Sequence, residues 1–287
     1  MEVWMWLVLL YAILKGVREI VKKKALTRSS VIEVLFFYTA IGFLFVLPEI
    51  PNALNMDLTL LPWVFAKSFI IFVSWLCGYA AISKMPISLY CVTDLARVLF
   101  ATLLGIAVLG ESFTFYQGVG LSLVMVGLVL VNLQKKGAKG RVEFKYVLMT
   151  LVSCLGNAVS GLMDKLIMRR EISDGQLQFW YMLFLLVLYF GYLLWHTAKV
   201  EPVNLAALKK NYWIPILSVL FMIGDRALFI ANGMADSRVT VMTLLKQSCV
   251  VVSIIGGFIV FKEKKIGYRL ACAGIVVAGI AIATLGA

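Results

Sequence analysis

Apolar residues run through this chain in stretches too long and too continuous for a soluble fold. Ten stretches of helix length stand out, at 3–21, 31–47, 62–83, 86–109, 115–133, 146–168, 177–197, 212–235, 238–260 and 267–285. A helix needs about 20 predominantly apolar residues to span the hydrocarbon core of a bilayer. Each stretch therefore reads as a transmembrane helix, and the fold class as an all-α membrane protein with ten transmembrane helices. The polar connections between them are short, which leaves no room for a soluble catalytic or nucleotide-binding domain.

The pattern also repeats. Residues 86–133 form two apolar helices joined by Gly110-Glu111-Ser112, and the same design returns at 238–285 when the sequence is shifted by 152 positions. Gly105 then coincides with Gly257, Glu111 with Glu263, Tyr116 with Tyr268, Val124 with Val276 and Gly127 with Gly279. Self-similarity of this kind is the mark of internal duplication. Helices one and six match more weakly, through Lys24-Ala25-Leu26 and Lys165-Leu166-Ile167. The basic linker 134–145 divides the chain into a first repeat, 1–133, and a second, 146–287, with five helices each. Five is odd, so the second repeat must enter the membrane from the opposite face. Inverted repeats are the expectation, as in many secondary transporters.

Composition agrees with the pattern: 62% of residues are hydrophobic, 15% are charged and the mean hydropathy is +0.96. A net charge of +12 could suggest a nucleic-acid partner, but its distribution excludes one. The connections at 22–28, 84, 134–145, 199–210 and 262–265 carry sixteen Lys and Arg; the alternate ones carry only Arg169, Arg170 and Arg238. Lys and Arg collect in cytoplasmic loops, so the asymmetry predicts a multi-pass protein of the cell membrane with both termini outside. Lys22-Lys23-Lys24 follows the first apolar run instead of preceding it, unlike the charge of a cleavable signal. The five cysteines all fall inside predicted spans with no paired spacing, which reads as buried free thiols. A lone histidine, His196 beside Trp195, cannot build a zinc site; no metal or cofactor is expected.

The pattern Leu109-Gly110-Glu111…Gln117-Gly118…Gly127, repeated as Phe261-Lys262-Glu263…Gly279, resembles the EamA module of the drug/metabolite transporter superfamily. The resemblance covers the whole length as two EamA units. It implies a central cavity lined by helices one to four and six to nine, with helices five and ten outside it, and alternating access for small metabolites. The second half departs from the pattern at Lys262, which stands where the first half has Gly110, and at Cys272, opposite Gly120.

Ionisable residues at bilayer depth cost about 2.5–3.5 kcal/mol each on insertion scales and therefore mark functional sites. Asp94 and Arg97 lie mid-span in helix four, with Tyr90 on the same face. Asp225 and Arg226 lie in helix eight, and Lys246, followed by Gln247, in helix nine. The 152-residue register sets Asp94 against Lys246, which predicts a salt bridge between the halves in the empty state. Helix six carries a polar stripe of Ser153, Asn157, Ser160 and Asp164, and helix eight one of Ser218, Asp225 and Asn232. Trp75 is central in helix three and is a candidate for the cavity wall. Lys15 and Arg18 lie close enough to the end of helix one to snorkel to the interface.

Bases and acids at one depth suit a zwitterion such as an amino acid. A secondary transporter exporting such a metabolite is the leading reading. Carriage of an anion such as a sugar phosphate or nucleotide sugar, and lipid flipping, are the alternatives. An intramembrane aspartyl enzyme would need two acids sharing a proton, and Arg226 beside Asp225 argues against that. No P-loop or HExxH motif is present. Any energy input must then come from exchange or an ion gradient, with protons as the candidate coupling ion and Asp94, Asp225, Asp164 or Glu19 as carriers. The partners are a small-molecule substrate and the lipid bilayer, with a monomer and a homodimer both open.

Overall fold

The computed structural model describes residues 2–110, 113–133, 143–168, 170, 172–203, 208–234, 242 and 245–285. Every regular element among them is helical. The order is α1 (Val3–Ala25), α2 (Val31–Leu44), α3 (Leu61–Lys84), α4 (Ile87–Asp94), α5 (Ala96–Leu109), α6 (Phe115–Leu133), α7 (Phe144–Met168), α8 (Asp174–Lys199), α9 (Trp213–Gly233), α10 (Cys249–Phe261) and α11 (Ile266–Leu285). The region 48–61, expected to be a plain loop, contains short helical turns at Leu47–Glu49, Ile50–Ala53 and Leu58–Leu60. The expected fourth helix is broken in two at Leu95.

Local chemistry explains several starts. Ser30 and Glu33 form a capping box at α2, and Ser173 and Gln176 do the same at α8. At α6 the Gln117 amide N–H donates to the Thr114 hydroxyl, while the Gln117 carboxamide accepts from Thr114 N–H. Each box satisfies two amide donors that a helix start leaves without intrahelical partners.

Among the described residues, six helices are long and apolar enough to cross a membrane. A seventh span results if 31–44 and 47–53, which meet at a bend of 51°, are taken as one. Large apolar side chains cover the outside, among them Trp63, Phe258 and Ile259 at 62%, 56% and 68% exposure. Such a surface is a liability in water and at home in lipid.

Packing interleaves the two halves of the chain. α1 lies along α9 and α10, and α7 lies along α3 and α5. α2 meets α8, and α6 pairs with α11. In the last pair backbones nearly touch: a Cβ added to Gly120 would stand 2.4 Å from the Gly279 carbonyl oxygen, and one added to Gly279 would stand 2.6 Å from that of Gly120. Small residues permit this approach where lipid provides no hydrophobic drive between helices.

Candidate functional site

Regular helical hydrogen bonding lapses at two places among the described residues. At the break between α4 and α5, Leu95 N–H donates to Val92 O at 3.2 Å and Val98 N–H to Leu95 O at 3.0 Å. Ahead of α10, Ser248 N–H donates to Leu245 O and Val251 N–H to Ser248 O, both at 3.1 Å. These are i→i−3 bonds, the tighter 3₁₀ geometry that marks hinges and functional sites when it interrupts a helix. Asp94 and Arg97 flank the first break; Lys246 and Gln247 immediately precede the second.

Between the breaks lies a cavity of about 480 Å³, its open mouth included. Lys15 and Glu19 of α1 line it together with Tyr90, Asp94 and Arg97 from α4 and α5, and with Gln247 and Ser253. Leu95, Val98 and Val250 supply apolar wall, and the thiols of Cys91 and Cys249 also face it. Those thiols, like the other three cysteines, are free. The sequence-predicted Tyr90, Asp94, Arg97 and Gln247 are thus brought together.

The charges pair differently from the expectation. Both carboxylate oxygens of Asp94 take the Arg97 Nη2, each at 3.0 Å, and the Cys154 thiol stands 3.6 Å from Asp94 Oδ1. The Asp94–Lys246 bridge is therefore not formed; an arginine three residues away on the same chain segment reaches the acid first. Lys246 is partly buried, and the charge acting on it is that of another cation, Lys15. Asp225 and Arg226 do not pair either. Asp225 lies within electrostatic reach of Arg18 and Lys15, while Arg226 is exposed on the far side of α9. Trp75 meets Tyr38 at a ring separation of 5.9 Å and a tilt of 52°, in an aromatic cluster with Tyr79 and Phe221. Asn157 donates to the Ser153 carbonyl at 2.7 Å. Its stripe on α7 runs along α3: the Asp164 carboxylate meets the buried Lys67 at 2.6 Å, and the Lys67 ammonium also sits 4.0 Å from the Tyr181 ring centre.

Sequence reasoning put helix one in the cavity wall only by resemblance and did not choose Lys15 or Arg18 as a substrate-binding residue. Lys15 and Glu19 reach the cavity, Glu19 takes the Lys22 ammonium at 2.6 and 2.7 Å, and Arg18 covers the Phe221 ring at 5.1 Å. A signal existed. Tyr11, Lys15, Arg18 and Lys22 are spaced i, i+4, i+7, i+11, the same intervals as Ser153, Asn157, Ser160 and Asp164 on α7.

Beyond the cavity, at the lysine-rich end of the bundle, Glu263 ties the halves together. Its carboxylate accepts from Ile87 N–H at 2.5 Å and Ser88 N–H at 3.2 Å, the open amides at the start of α4. The Ser88 hydroxyl also donates to it. Arg269 binds it at 2.8 Å and the Lys23 ammonium stands 3.9 Å away. A carboxylate is well placed at a helix N-terminus, where amide donors and the helix dipole both favour negative charge. The turns that carry the two glutamates begin alike: Gly110 has φ 67° and Lys262 φ 52°, both left-handed. Their N–H groups donate to Gly105 O and Gly257 O respectively. Glu111 itself lies outside the described residues, as do Arg238 and the greater part of the linker.

Among the described residues, no group of three or more His, Cys, Asp or Glu side chains is arranged to hold a metal ion. None of the curated proteins compared matches the chain. Chains of solved structures do, 27 in number. One, titled only as a crystal structure of a protein, aligns at a TM-score of 0.59 and 16% identity over 96% of each chain, a likeness of fold. Residues 2–133 match the model of the EamA-like transporter family. With its apolar helices the chain is a multi-pass membrane protein, and its first half, residues 2–133, is similar to the EamA-like transporter family.

Proposed function

We propose that the chain is a secondary transporter carrying a small charged metabolite through the cavity by alternating access. The observation that carries this reading is the position of the cavity, walled by α1, α4–α5 and α10 at breaks in two helices from opposite halves. Interrupted helices at the repeat interface are where secondary transporters bind substrate. The packing supports two inverted repeats, because its relations come in exchanged pairs: α1 on α9 and α10, α7 on α3 and α5. On this reading α1, α9 and α10 also span the membrane, ten spans in all. The lysine-rich end is cytoplasmic and both termini are outside. A C-terminal reporter that works only in the cytoplasm should be silent, and a bright one would reverse this topology.

Acids and bases both reach the cavity, which suits a charged metabolite; export is the direction that the family resemblance favours. The function itself is tested by counterflow. Liposomes holding the purified protein and loaded with unlabelled alanine, pyruvate or lactate should concentrate the matching labelled compound above protein-free liposomes. Flat uptake across that panel would count against transport of small metabolites.

A further inference from the structure

We infer that the cavity is an anion site in which the Lys15 ammonium holds a carboxylate, so that its ligand is a small organic acid and not a zwitterion. The inference deepens the transporter reading and rests on it for the ligand's fate, though not for its binding. The cavity wall itself carries two bases, Lys15 and Arg97, and two acids, Glu19 and Asp94; just outside it stand Arg18, Lys22 and Lys246 against Asp225, an excess of two positive charges. The two acids in the wall are already bound. Asp94 has both oxygens on Arg97, and Glu19 has both on Lys22. Asp225 is outside the lining, within electrostatic reach of Arg18 and Lys15. An ammonium entering the cavity therefore meets no free acceptor of opposite charge.

A carboxylate meets the reverse. Lys15 lines the cavity and makes no hydrogen bond or ion pair with the described residues. The Arg97 Nε is buried and has no hydrogen-bond partner. Lys246, whose charge repels that of Lys15, adds positive potential from the next helix. Unmatched cations in a medium of low dielectric are costly, and an anionic occupant offsets that cost by supplying the missing charge. The body attached to the carboxylate is short and apolar, because Leu95, Val98 and Val250 form the apolar part of the wall.

Pyruvate and alanine share a three-carbon skeleton and differ in the amine. In a thermal-shift titration of the purified full chain, millimolar pyruvate or lactate should stabilise it and alanine should not. Lys15→Gln should weaken pyruvate binding by roughly ten- to a hundredfold, the loss of one charge-assisted hydrogen bond. Lys15→Arg should restore it, and Lys199→Gln, on the exposed end of α8, should leave it unchanged. Alkylation of Cys249 in the unsubstituted chain, followed by mass spectrometry, gives a reading that needs no variant to fold: pyruvate should slow it and alanine should not. Equal effects of the two compounds, no effect of either, or full pyruvate affinity in Lys15→Gln would each overturn the inference. Pyruvate binding without counterflow would overturn the transporter reading alone; alanine counterflow without pyruvate binding would overturn the anion site alone.

Discussion

Glu263 and Lys15 carry opposite charges, and the bundle treats them in opposite ways. Glu263 is enclosed by two amides, a hydroxyl and two cations drawn from α1, α4 and the start of α11. Lys15 is given a cavity and no direct partner among the described residues. Where every buried charge is matched, the chain has completed the interaction itself and the region holds the halves in one arrangement. Where a charge is left over, the match must come from outside. The Lys67–Asp164 bridge on α3 and α7 belongs with Glu263 in this respect: it is a buried lysine whose acid is supplied by the other half of the chain.

The sharpest way to break the comparison is to remove each charge in turn. Glu263→Ala strands Arg269 and Lys23 beside each other and leaves the first amides of α4 open. Breaking a buried pair from one side costs about 3–5 kcal/mol, so a fall of that order in unfolding free energy is expected. Lys15→Gln removes a charge that no described residue pairs with directly, Asp94 and Asp225 acting on it only at longer range, and stability should be unchanged or higher. Thermal unfolding of both variants in detergent, without ligand, decides it. Equal losses would mean that Lys15 is as much a structural charge as Glu263.

Much of this was legible in the chain itself. Long apolar stretches announce membrane helices because lipid forces each backbone to satisfy itself. The 152-residue shift sets Gly110 against Lys262 and Glu111 against Glu263, and the first two positions both take a left-handed backbone. The mid-span charges pointed to Asp94 and Arg97, which do reach the cavity. The pairing of Asp94 was not legible. Register predicts which positions are equivalent under a twofold, but not which of two cations reaches an acid, and the helix break at Leu95 lets Arg97 do so. Nor was the role of Lys15, because a lysine two turns from a helix end has a cheap explanation in snorkelling. The residues of α4 and α10 that share its cavity lie far along the chain, and only packing shows that the side chain turns inward. Asp164 illustrates the same limit: it stood out in the polar stripe of its helix, but nothing there announced Lys67 as its partner.

The smallest effect tests the turn that delivers Glu263. Its first residue is Lys262 at φ 52°, where the first half has Gly110 at φ 67°. A left-handed conformation costs a residue with a Cβ roughly 1–2 kcal/mol, and glycine returns part of that by losing more freedom on folding. Lys262→Gly should therefore stabilise the chain by about 1 kcal/mol, provided the lysine side chain contributes little where it stands. That side chain is partly to well exposed at the end of α10, with no ion pair among the described residues. Gly110→Ala should do the opposite by about the same amount. A Cβ there would meet nothing within 4 Å, so any loss reports backbone conformation alone. Opposite shifts in thermal unfolding would establish that the two turns are the same device, paid for by glycine in one half and tolerated as strain in the other. A loss of stability in Lys262→Gly would show instead that the lysine is held by its surroundings, and that the second turn has become part of the charge network at its end of the bundle.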